Sequence, residues 1–147
     1  QMLQSEGWRF NRRAAGEMPE AEANVYLADT MGDLGLWYRV SPISFVGGSM
    51  EPVGGHNPFE PAALGSAILH GPFVTNFVDI YQRLTEANAA RLVSGPDTLA
   101  EAVHDLLNPD RAAAMAHAAW EVVSAGAEVT DRALDLILDK LDAGSGR

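Results

Sequence analysis

The fold of this chain is decided by residues 43–61, which read Ile43-Ser44-Phe45-Val46-Gly47-Gly48-Ser49-Met50-Glu51-Pro52-Val53-Gly54-Gly55-His56-Asn57-Pro58-Phe59-Glu60-Pro61. An apolar run predicts a strand, two glycine pairs follow it, and the proline after the second pair predicts the start of a helix. Glycines let backbone N–H groups approach a ligand closely, and the first turn of a helix presents further N–H groups. The stretch therefore predicts an anion-binding site at the end of a strand in an α/β protein.

The composition narrows the classes of function. The chain has 147 residues, of which 47% are hydrophobic, a formal net charge of -10 and no cysteine. That length suits one domain with one core. The acidic charge argues against binding nucleic acid or an anionic membrane surface, because both need clustered Lys and Arg. The lack of cysteine excludes disulfides and thiolate chemistry, and no apolar stretch approaches the roughly 20 residues of a membrane span.

Short apolar runs alternate with helical patterns along the chain, which predicts an α/β fold with a Rossmann-like parallel sheet and flanking helices. The predicted strands are residues 8–11, 25–28, 43–46, 67–70 and 91–93. Capping boxes at Thr30, Asn76 and Thr98 predict three helix starts, because each side chain would accept a hydrogen bond from an early helical N–H group.

The last third of the chain is rich in alanine and predicts two helices. The first covers residues 110–125 and ends with Gly126 as a C-terminal cap, and the second covers residues 130–141. Their predicted apolar faces consist of Ala113, Met115, Ala116, Ala119, Trp120 and Val123 in the first helix and Leu134, Ile137, Leu138 and Leu141 in the second. Trp37, Tyr38 and Trp120 lie on apolar helical faces, so we expect them in the core rather than stacked on a base.

The start of the chain suggests that upstream elements are missing. The chain opens at Gln1 without an initiator Met, and the first clear strand comes only at Val25, whereas a doubly wound sheet has about five or six strands. We expect residues 1–147 to be a single domain of a longer protein that lacks the first strands of its sheet. A chain that begins at a true domain edge is the alternative.

Several motifs occur in an order that resembles one enzyme family. They are Asp29-Thr30-Met31-Gly32-Asp33-Leu34, Phe45-Val46-Gly47-Gly48-Ser49, Gly54-Gly55-His56-Asn57-Pro58-Phe59-Glu60-Pro61, Gly71-Pro72 and Asn76-Phe77. From about Val25 to the end of the final helix, their order and spacing resemble the 3-deoxy-D-manno-octulosonic acid (Kdo) transferases. Each motif alone is weak, but the ordered set is specific.

The resemblance implies the C-terminal, nucleotide-sugar-binding half of a GT-B glycosyltransferase, in which two Rossmann-like domains face a cleft. Members of the family transfer Kdo from CMP-Kdo to a lipid A precursor in lipopolysaccharide biosynthesis, at the cytoplasmic face of the inner membrane of Gram-negative bacteria. The N-terminal domain binds the acceptor, carries the membrane anchor and supplies the catalytic carboxylate, so no catalytic residue is expected in this chain. The expected ligand is the donor CMP-Kdo, without a cofactor or metal. The family's basic Pro-Arg-His segment has no counterpart here, which agrees with a truncated chain.

Glu60 has two interpretations. Asn57 as N-cap, Pro58 as the first helical residue and Glu60 three residues after the cap would form a capping box, which gives Glu60 a structural role. The resemblance implies that the Glu60 carboxylate instead accepts hydrogen bonds from the ribose hydroxyls of the donor.

His56 and Asn57 follow the second glycine pair directly. His56 is either a plain loop residue or, as the resemblance implies together with Asn57, a contact to the donor. An imidazole N–H at this place would stabilise the charge that builds on the CMP leaving group. No second histidine or carboxylate stands at metal-ligand spacing from His56, which disfavours a metal site.

Gly47, Gly48 and Gly55, together with Ser49, predict a cradle for a phosphate group, in which the Ser49 hydroxyl is a further donor. The alternative is a tight turn that needs glycine whatever the ligand. The pattern is neither Gly-x-Gly-x-x-Gly nor a Walker loop with Lys, so it gives no support to NAD or ATP.

Thr30, Met31 and Gly32 follow the predicted strand at residues 25–28, and open α/β sheets bind ligands at the carboxyl ends of their strands. The resemblance implies that backbone groups there read the cytosine of the donor. The alternative is a capping box from Thr30 to Asp33. Asp33 stands where the family motif has Glu.

The loop with Gly71-Pro72 and Asn76-Phe77 is expected to connect a strand to a helix, with Asn76 as the cap or, alternatively, as a ligand contact. Two other functions stay open on the sequence alone. One is the donor domain of a UDP-sugar transferase or epimerase of the same architecture, and the other is a non-catalytic interaction domain whose glycine loops are only turns. A filled loop region without a cleft above the strand ends would favour the interaction domain.

Overall fold

A computed structural model describes residues 2–144, with side chains described for residues 2–125 and for residue 138. The chain divides into two compact units, residues 1–34 and residues 35–147, and each is described by itself. The predicted side-chain face of the last helix, apart from Leu138, lies outside the described residues. Among the described residues, no helix is both long enough and apolar enough to cross a membrane.

The first unit contains a two-stranded parallel sheet. Its elements are α1 (Met2–Ser5), β1 (Phe10–Arg12), a single 3-10 turn (Arg13–Ala15) and β2 (Val25–Leu27). Phe10 pairs with Val25 and Arg12 with Leu27. Both strands lie within two residues of their predicted bounds.

The second unit contains a three-stranded parallel sheet in the order β3-β4-β5. Its elements are α2 (Leu34–Val40, whose first residue closes the first unit), β3 (Ile43–Val46), α3 (Phe59–Ala63), β4 (Ala67–His70), α4 (Val78–Glu86), β5 (Ala90–Leu92), α5 (Pro96–Leu106) and α6 (Pro109–Gly144). The bounds of β3 and β4 are those predicted, and β5 begins and ends one residue earlier than predicted. The predicted α/β class with parallel pairing and flanking helices is confirmed.

The central strand β4 separates two apolar clusters. Every residue of β4 is buried, as expected for a parallel strand that is covered on both faces. Ile68 packs into a cluster with Tyr81 and Leu84 of α4. Leu69 points to the other face and packs with residues of α5 and the start of α6. Helices therefore cover both faces of the sheet.

The helix α6 lies against both clusters. It contributes Ala112 to the cluster of Leu69, and Ala119 and Val123 to the cluster of Ile68. These positions recur at helical spacing, and small alanine side chains let a helix pack closely on its neighbours.

Two predictions for the C-terminal region are wrong. The helix does not stop at Gly126 but runs without interruption from Pro109 to Gly144. A glycine inside a helix costs about 1 kcal/mol relative to alanine, which strong helix formers on both sides can offset. Trp120 does not lie in the core, since it is 50% exposed. The buried face of the helix passes through its neighbour Ala119, about 100° away around the axis.

The three predicted capping boxes are not formed as predicted. The helix α5 begins at Pro96, whose fixed φ suits a first helical position; Thr98 is therefore inside the first turn, where its hydroxyl oxygen accepts a hydrogen bond from the Gly95 N–H at 3.1 Å. The helix α4 begins at Val78 after Phe77, so Asn76 is not its cap. The Thr30 hydroxyl donates to Asp33 at 2.8 Å, and the helix begins only at Leu34.

Candidate functional site

The loops that follow β3, β4 and β5 begin side by side. In the parallel register Val46 lies opposite His70, and His70 lies opposite Leu92. Because the carboxyl ends of parallel strands lie at one edge of a sheet, the loop with both glycine pairs is next to the loop of residues 71–77. This edge is the candidate site.

A backbone hydrogen bond joins the two glycine pairs. The Gly55 N–H donates to the Gly48 carbonyl at 2.8 Å. Gly48, Gly54 and Gly55 have φ of +67°, +99° and +74°, a region in which residues with a Cβ are strained. Three of these four glycines are thus required by the backbone itself, as the tight-turn interpretation expects.

Gly47 differs from the other three glycines. Its φ is not in the left-handed region, and a Cβ added to Gly47 would meet no atom within 4 Å. The fold therefore gives no reason for a glycine at this position. Close approach of a ligand to an exposed backbone is the remaining physical reason, and it is the one on which the sequence-based prediction rested.

The Ser49 side chain does not have its predicted role. Ser49 is fully buried, and its hydroxyl donates to the Val46 carbonyl at 2.6 Å and accepts from the Gly71 N–H at 2.9 Å. The hydroxyl proton is therefore committed inside the protein, and it is not available to a phosphate. Ser49 instead fastens the first glycine loop to the loop after β4, to which its own carbonyl also binds through the Phe73 N–H at 2.9 Å.

Asn76 has a structural contact that the sequence did not predict. Its backbone N–H donates to the Gly54 carbonyl at 3.1 Å, and its side-chain amide lies where a Cβ on Gly54 would be, 2.4 to 2.8 Å from that point. The amide therefore fills the space that glycine leaves open. Its predicted role as a helix cap is wrong because Phe77 occupies the cap position.

His56 lies exposed at the surface of the loop, with its ring close to Gly48. A Cβ on Gly48 would be 3.0 Å from Nε2 and 3.1 Å from Cδ2 of His56. The positive φ thus favours glycine at residue 48, and a larger residue there would also displace the histidine ring slightly. The structure brings His56 together with Gly48 and Gly55, as the prediction of one common site requires.

The capping box that involved Glu60 is not formed. The helix α3 has only five residues and begins at Phe59, with Pro58 in the cap position. Asn57 Oδ1 accepts a hydrogen bond from the Phe59 N–H at 2.9 Å, so only the Asn57 half of the box is present. Glu60 lies toward α2, where its Oε1 is 3.5 Å from a Cβ placed on Gly35. The exposed Glu60 carboxylate is free of the structural role that competed with ligand binding.

The helix α3, with five residues, is too short to contribute a strong dipole to the site. The helix ends because Gly65 adopts a φ of +84° and its N–H closes back onto the Ala62 carbonyl at 3.4 Å. A helix of one and a half turns contributes little beyond the N–H groups of its first turn. An anion at this edge would depend on the glycine loops.

Tyr38 is half-buried beside the same carboxylate. Burial, and to a smaller extent the negative charge of Glu60, raises the pKa of the Tyr38 hydroxyl above its ordinary value. Tyr38 and Trp37 are half-buried rather than buried, so the prediction that they lie in the core is only partly right.

Thr30, Met31 and Gly32 belong to the first unit. Met31 is 98% exposed, and Gly32 has a φ of +92°. Asp33 accepts hydrogen bonds from the Arg13 guanidinium at 2.6 Å and from the Thr30 hydroxyl, and these two contacts hold the pKa of the Asp33 carboxyl below its ordinary value. The predicted role of residues 30–32 in reading cytosine stays a prediction.

The loops of the site carry no lysine or arginine. Residues 47–77 contain neither Lys nor Arg, and no cluster of three or more metal-ligating side chains occurs within the described part of the chain. Negative charge on a ligand would therefore be met by backbone N–H groups and by His56. A cleft of about 420 Å³ opens next to these loops, between the starts of α3 and α4, and is lined by Phe59, Asn76, Phe77 and Arg83 among others.

An α/β fold whose parallel sheet carries glycine-rich loops at its carboxyl edge defines the Rossmann-like class of ligand-binding domains. Within that class, the chain is a homologue of the 3-deoxy-D-manno-octulosonic acid transferases. It is 37% identical to the enzyme of Haemophilus influenzae over 96% of this chain, and 36% identical to that of Bordetella pertussis over 95% of it. The resemblance found in the motifs is thus confirmed.

A solved structure leads to the same family. The crystal structure of the C-terminal CMP-Kdo binding domain of WaaA from Acinetobacter baumannii matches with a TM-score of 0.78 and 33% sequence identity, over 83% of this chain and 64% of that domain. The chain spans about a third of the length of the two bacterial relatives, 34% and 33% respectively. No protein-family model matches the chain.

Proposed function

We propose that this chain is the CMP-Kdo-binding part of a Kdo transferase. The observation that carries the proposal is the joined pair of glycine loops at the carboxyl edge of β3, in a chain whose fold matches a solved CMP-Kdo binding domain. The alternative of a non-catalytic interaction domain predicts no nucleotide binding, so the titration described below separates it from this proposal.

Each residue of the site has a defined role in this proposal. The backbone N–H groups of the glycine loops, above all at Gly47 and Gly48, receive the single phosphate of CMP-Kdo. His56 and Asn57 face the phosphate and the sugar, and an N–H of the His56 imidazole stabilises the charge on the departing CMP. The Glu60 carboxylate accepts hydrogen bonds from the ribose hydroxyls. The absence of Lys and Arg from residues 47–77 suits a monophosphate, whose charge a few backbone N–H groups can meet.

The activity of the whole protein is part of the proposal. The parent enzyme would transfer Kdo to a lipid A precursor at the cytoplasmic face of the bacterial inner membrane. The acceptor site and the catalytic carboxylate would be in an N-terminal domain outside this chain. We therefore expect the purified chain to bind the donor without transferring sugar. Detectable Kdo transfer by the purified chain would contradict the placement of the catalytic carboxylate outside it.

Isothermal titration calorimetry with CMP, UDP and AMP tests the proposal. We expect binding of CMP that is at least about tenfold tighter than binding of UDP or AMP, which corresponds to about 1.4 kcal/mol. Glu60→Gln should weaken CMP binding, whereas Glu101→Gln on α5, the same change of charge at another exposed glutamate, should not. A preference for UDP would support a UDP-sugar enzyme instead, and equal affinity for all three nucleotides would contradict the proposal.

A further inference from the structure

Tyr81 connects the helix α4 to the site loop. Its side chain is 2% exposed, and its hydroxyl donates a hydrogen bond to the backbone carbonyl of His56 at 2.9 Å. The two residues are 25 positions apart in the chain. Apart from this bond, the tyrosine is a core residue, in contact with the cluster around Ile68 and Leu84.

The tyrosine ring cannot easily move away from this position. It packs in the apolar cluster on one side, and the buried His70 ring lies against it with a centroid distance of 4.4 Å and an interplanar angle of 43°. Burial raises the pKa of the Tyr81 hydroxyl above its ordinary value. At neutral pH the hydroxyl therefore keeps its proton and remains a donor. A rigid donor fixed to the core is thus directed at one carbonyl of an otherwise exposed loop.

Tyr81 donates its hydrogen bond to the backbone of His56, whose side chain lies close to Gly48. The adjacent Gly55 N–H donates to the Gly48 carbonyl at 2.8 Å. Fixing the His56 backbone therefore fixes both the direction of its ring and the spacing of the two glycine loops. The Tyr81 hydroxyl thus ties the His56 backbone directly to a helix of the core.

We propose that Tyr81 is a positioning residue that holds His56 and the second glycine loop in the arrangement that binds the donor. Tyr81 does not touch the ligand and acts only through the His56 carbonyl. The part of this inference that concerns the donor rests on the proposed function, whereas the part that concerns the order of the loop does not.

Tyr81→Phe removes the hydroxyl and keeps the ring in the core, so the variant should fold. We expect the Gly55 amide proton to exchange with solvent about 3- to 10-fold faster than in the original chain, the effect of one lost neutral hydrogen bond. The Val93 amide, which donates to the His70 carbonyl at 2.8 Å at the core, reports global unfolding and should accelerate only as far as the measured loss of global stability allows. CMP should bind about 3- to 10-fold more weakly.

Thr85→Val is the matched control, because the Thr85 hydroxyl also donates a hydrogen bond to a backbone carbonyl, that of Tyr81 at 2.8 Å, on the same helix. The control should change neither the Gly55 exchange rate nor CMP affinity. An unchanged Gly55 exchange rate in Tyr81→Phe would overturn the inference, and so would an equal acceleration at Gly55 in Thr85→Val, because the effect would then come from a general loss of stability and not from the bond to His56. Faster exchange at Gly55 in a chain that does not bind CMP would contradict the proposed function and support the positioning of the loop by Tyr81.

Discussion

The hydroxyl of Ser49 and the backbone N–H of Gly71, 22 residues apart, form a buried hydrogen bond of 2.9 Å that joins the loops after β3 and β4. The same two residues meet through their backbones, since a Cβ on Gly71 would lie 2.1 Å from the Ser49 carbonyl oxygen. This junction is the structural base of the candidate site, because the loop that carries His56 and the loop that carries Asn76 both lead away from it.

Gly71→Ala should be strongly destabilising. Because its Cβ would collide with backbone atoms of Ser49 and not with the end of a flexible side chain, we expect a loss of about 3 kcal/mol or more in the free energy of unfolding. Gly47→Ala is the matched control: its Cβ would point into open space outside the left-handed region of φ, and stability should stay the same or rise by up to about 1 kcal/mol. Urea unfolding followed by circular dichroism measures both, and similar values for the two variants would contradict the close approach of Gly71 to Ser49.

Ser49→Ala should cost about 1–3 kcal/mol of stability, because it leaves the buried Gly71 N–H without its acceptor. Ser94→Ala, at an exposed serine outside this junction, should change the free energy of unfolding by less than about 0.5 kcal/mol. The same urea titration compares them. A loss of CMP affinity in Ser49→Ala without any loss of stability would show that the hydroxyl faces the ligand after all, as the sequence had suggested.

The sequence predicted the strands well because their signals are local. The runs of β3 and β4 are short, apolar and followed by glycine, and both strands have the predicted bounds. The motifs around the glycine pairs were enough to identify the family, since their order along the chain is also a local property of the sequence.

The functions of individual polar side chains could not be predicted in the same way, because their partners are distant in sequence. The Ser49 hydroxyl binds Gly71, and the Tyr81 hydroxyl binds the carbonyl of His56. From the sequence we expected the Ser49 hydroxyl to contact the ligand, and we expected no role for Tyr81. A tyrosine among the apolar positions of a helix is the one weak signal in the sequence, because a buried tyrosine hydroxyl usually finds a hydrogen-bond partner.

The capping boxes and Gly126 failed for a different reason. The sequence patterns were present, but a competing preference determined the helix boundary in each region. Pro96 starts α5 before Thr98, and the helix formers on both sides of Gly126 keep α6 continuous. When two local patterns favour different helix boundaries by similar free energies, neither pattern alone predicts where the helix begins or ends.

Stability should fall as the pH falls through the ordinary histidine pKa of 6.5, in part because of His70. Burial lowers the pKa of His70 below its ordinary value of 6.5, so the unfolded chain takes up a proton at a higher pH than the folded chain does. Stability from this group is fully present above the unfolded pKa and is lost as the pH falls toward the folded pKa. In His70→Asn, whose amide can still donate to the Gly71 carbonyl that Nδ1 contacts at 2.8 Å, the pH dependence should be smaller.

Urea unfolding at several pH values measures this slope, and His104→Asn is the control because His104 is exposed on α5. The control should keep the slope of the original chain. An equal reduction of the slope in both variants would contradict the assignment to His70.

Gly47→Ala should weaken CMP binding by about tenfold or more, although it does not lower stability. The new Cβ would occupy open space next to the glycine loops, where the phosphate is proposed to approach the backbone. Gly95→Ala is the control, since Gly95 also has open space around it and an extended φ of 176°, but lies at the start of α5. Calorimetry with CMP compares the two variants; equal affinity in both would place the phosphate elsewhere.

Binding of the nucleotide by the joined glycine loops can be measured by titrating the isotope-labelled chain with CMP and following the chemical shifts of its backbone amides. We expect the largest shifts at Gly47, Gly48, Gly55 and His56, and much smaller shifts with UDP at the same concentration. Shifts that are confined to other parts of the chain, or an absence of shifts at these four amides at millimolar CMP, would contradict the claim that the joined glycine loops bind the nucleotide of the donor.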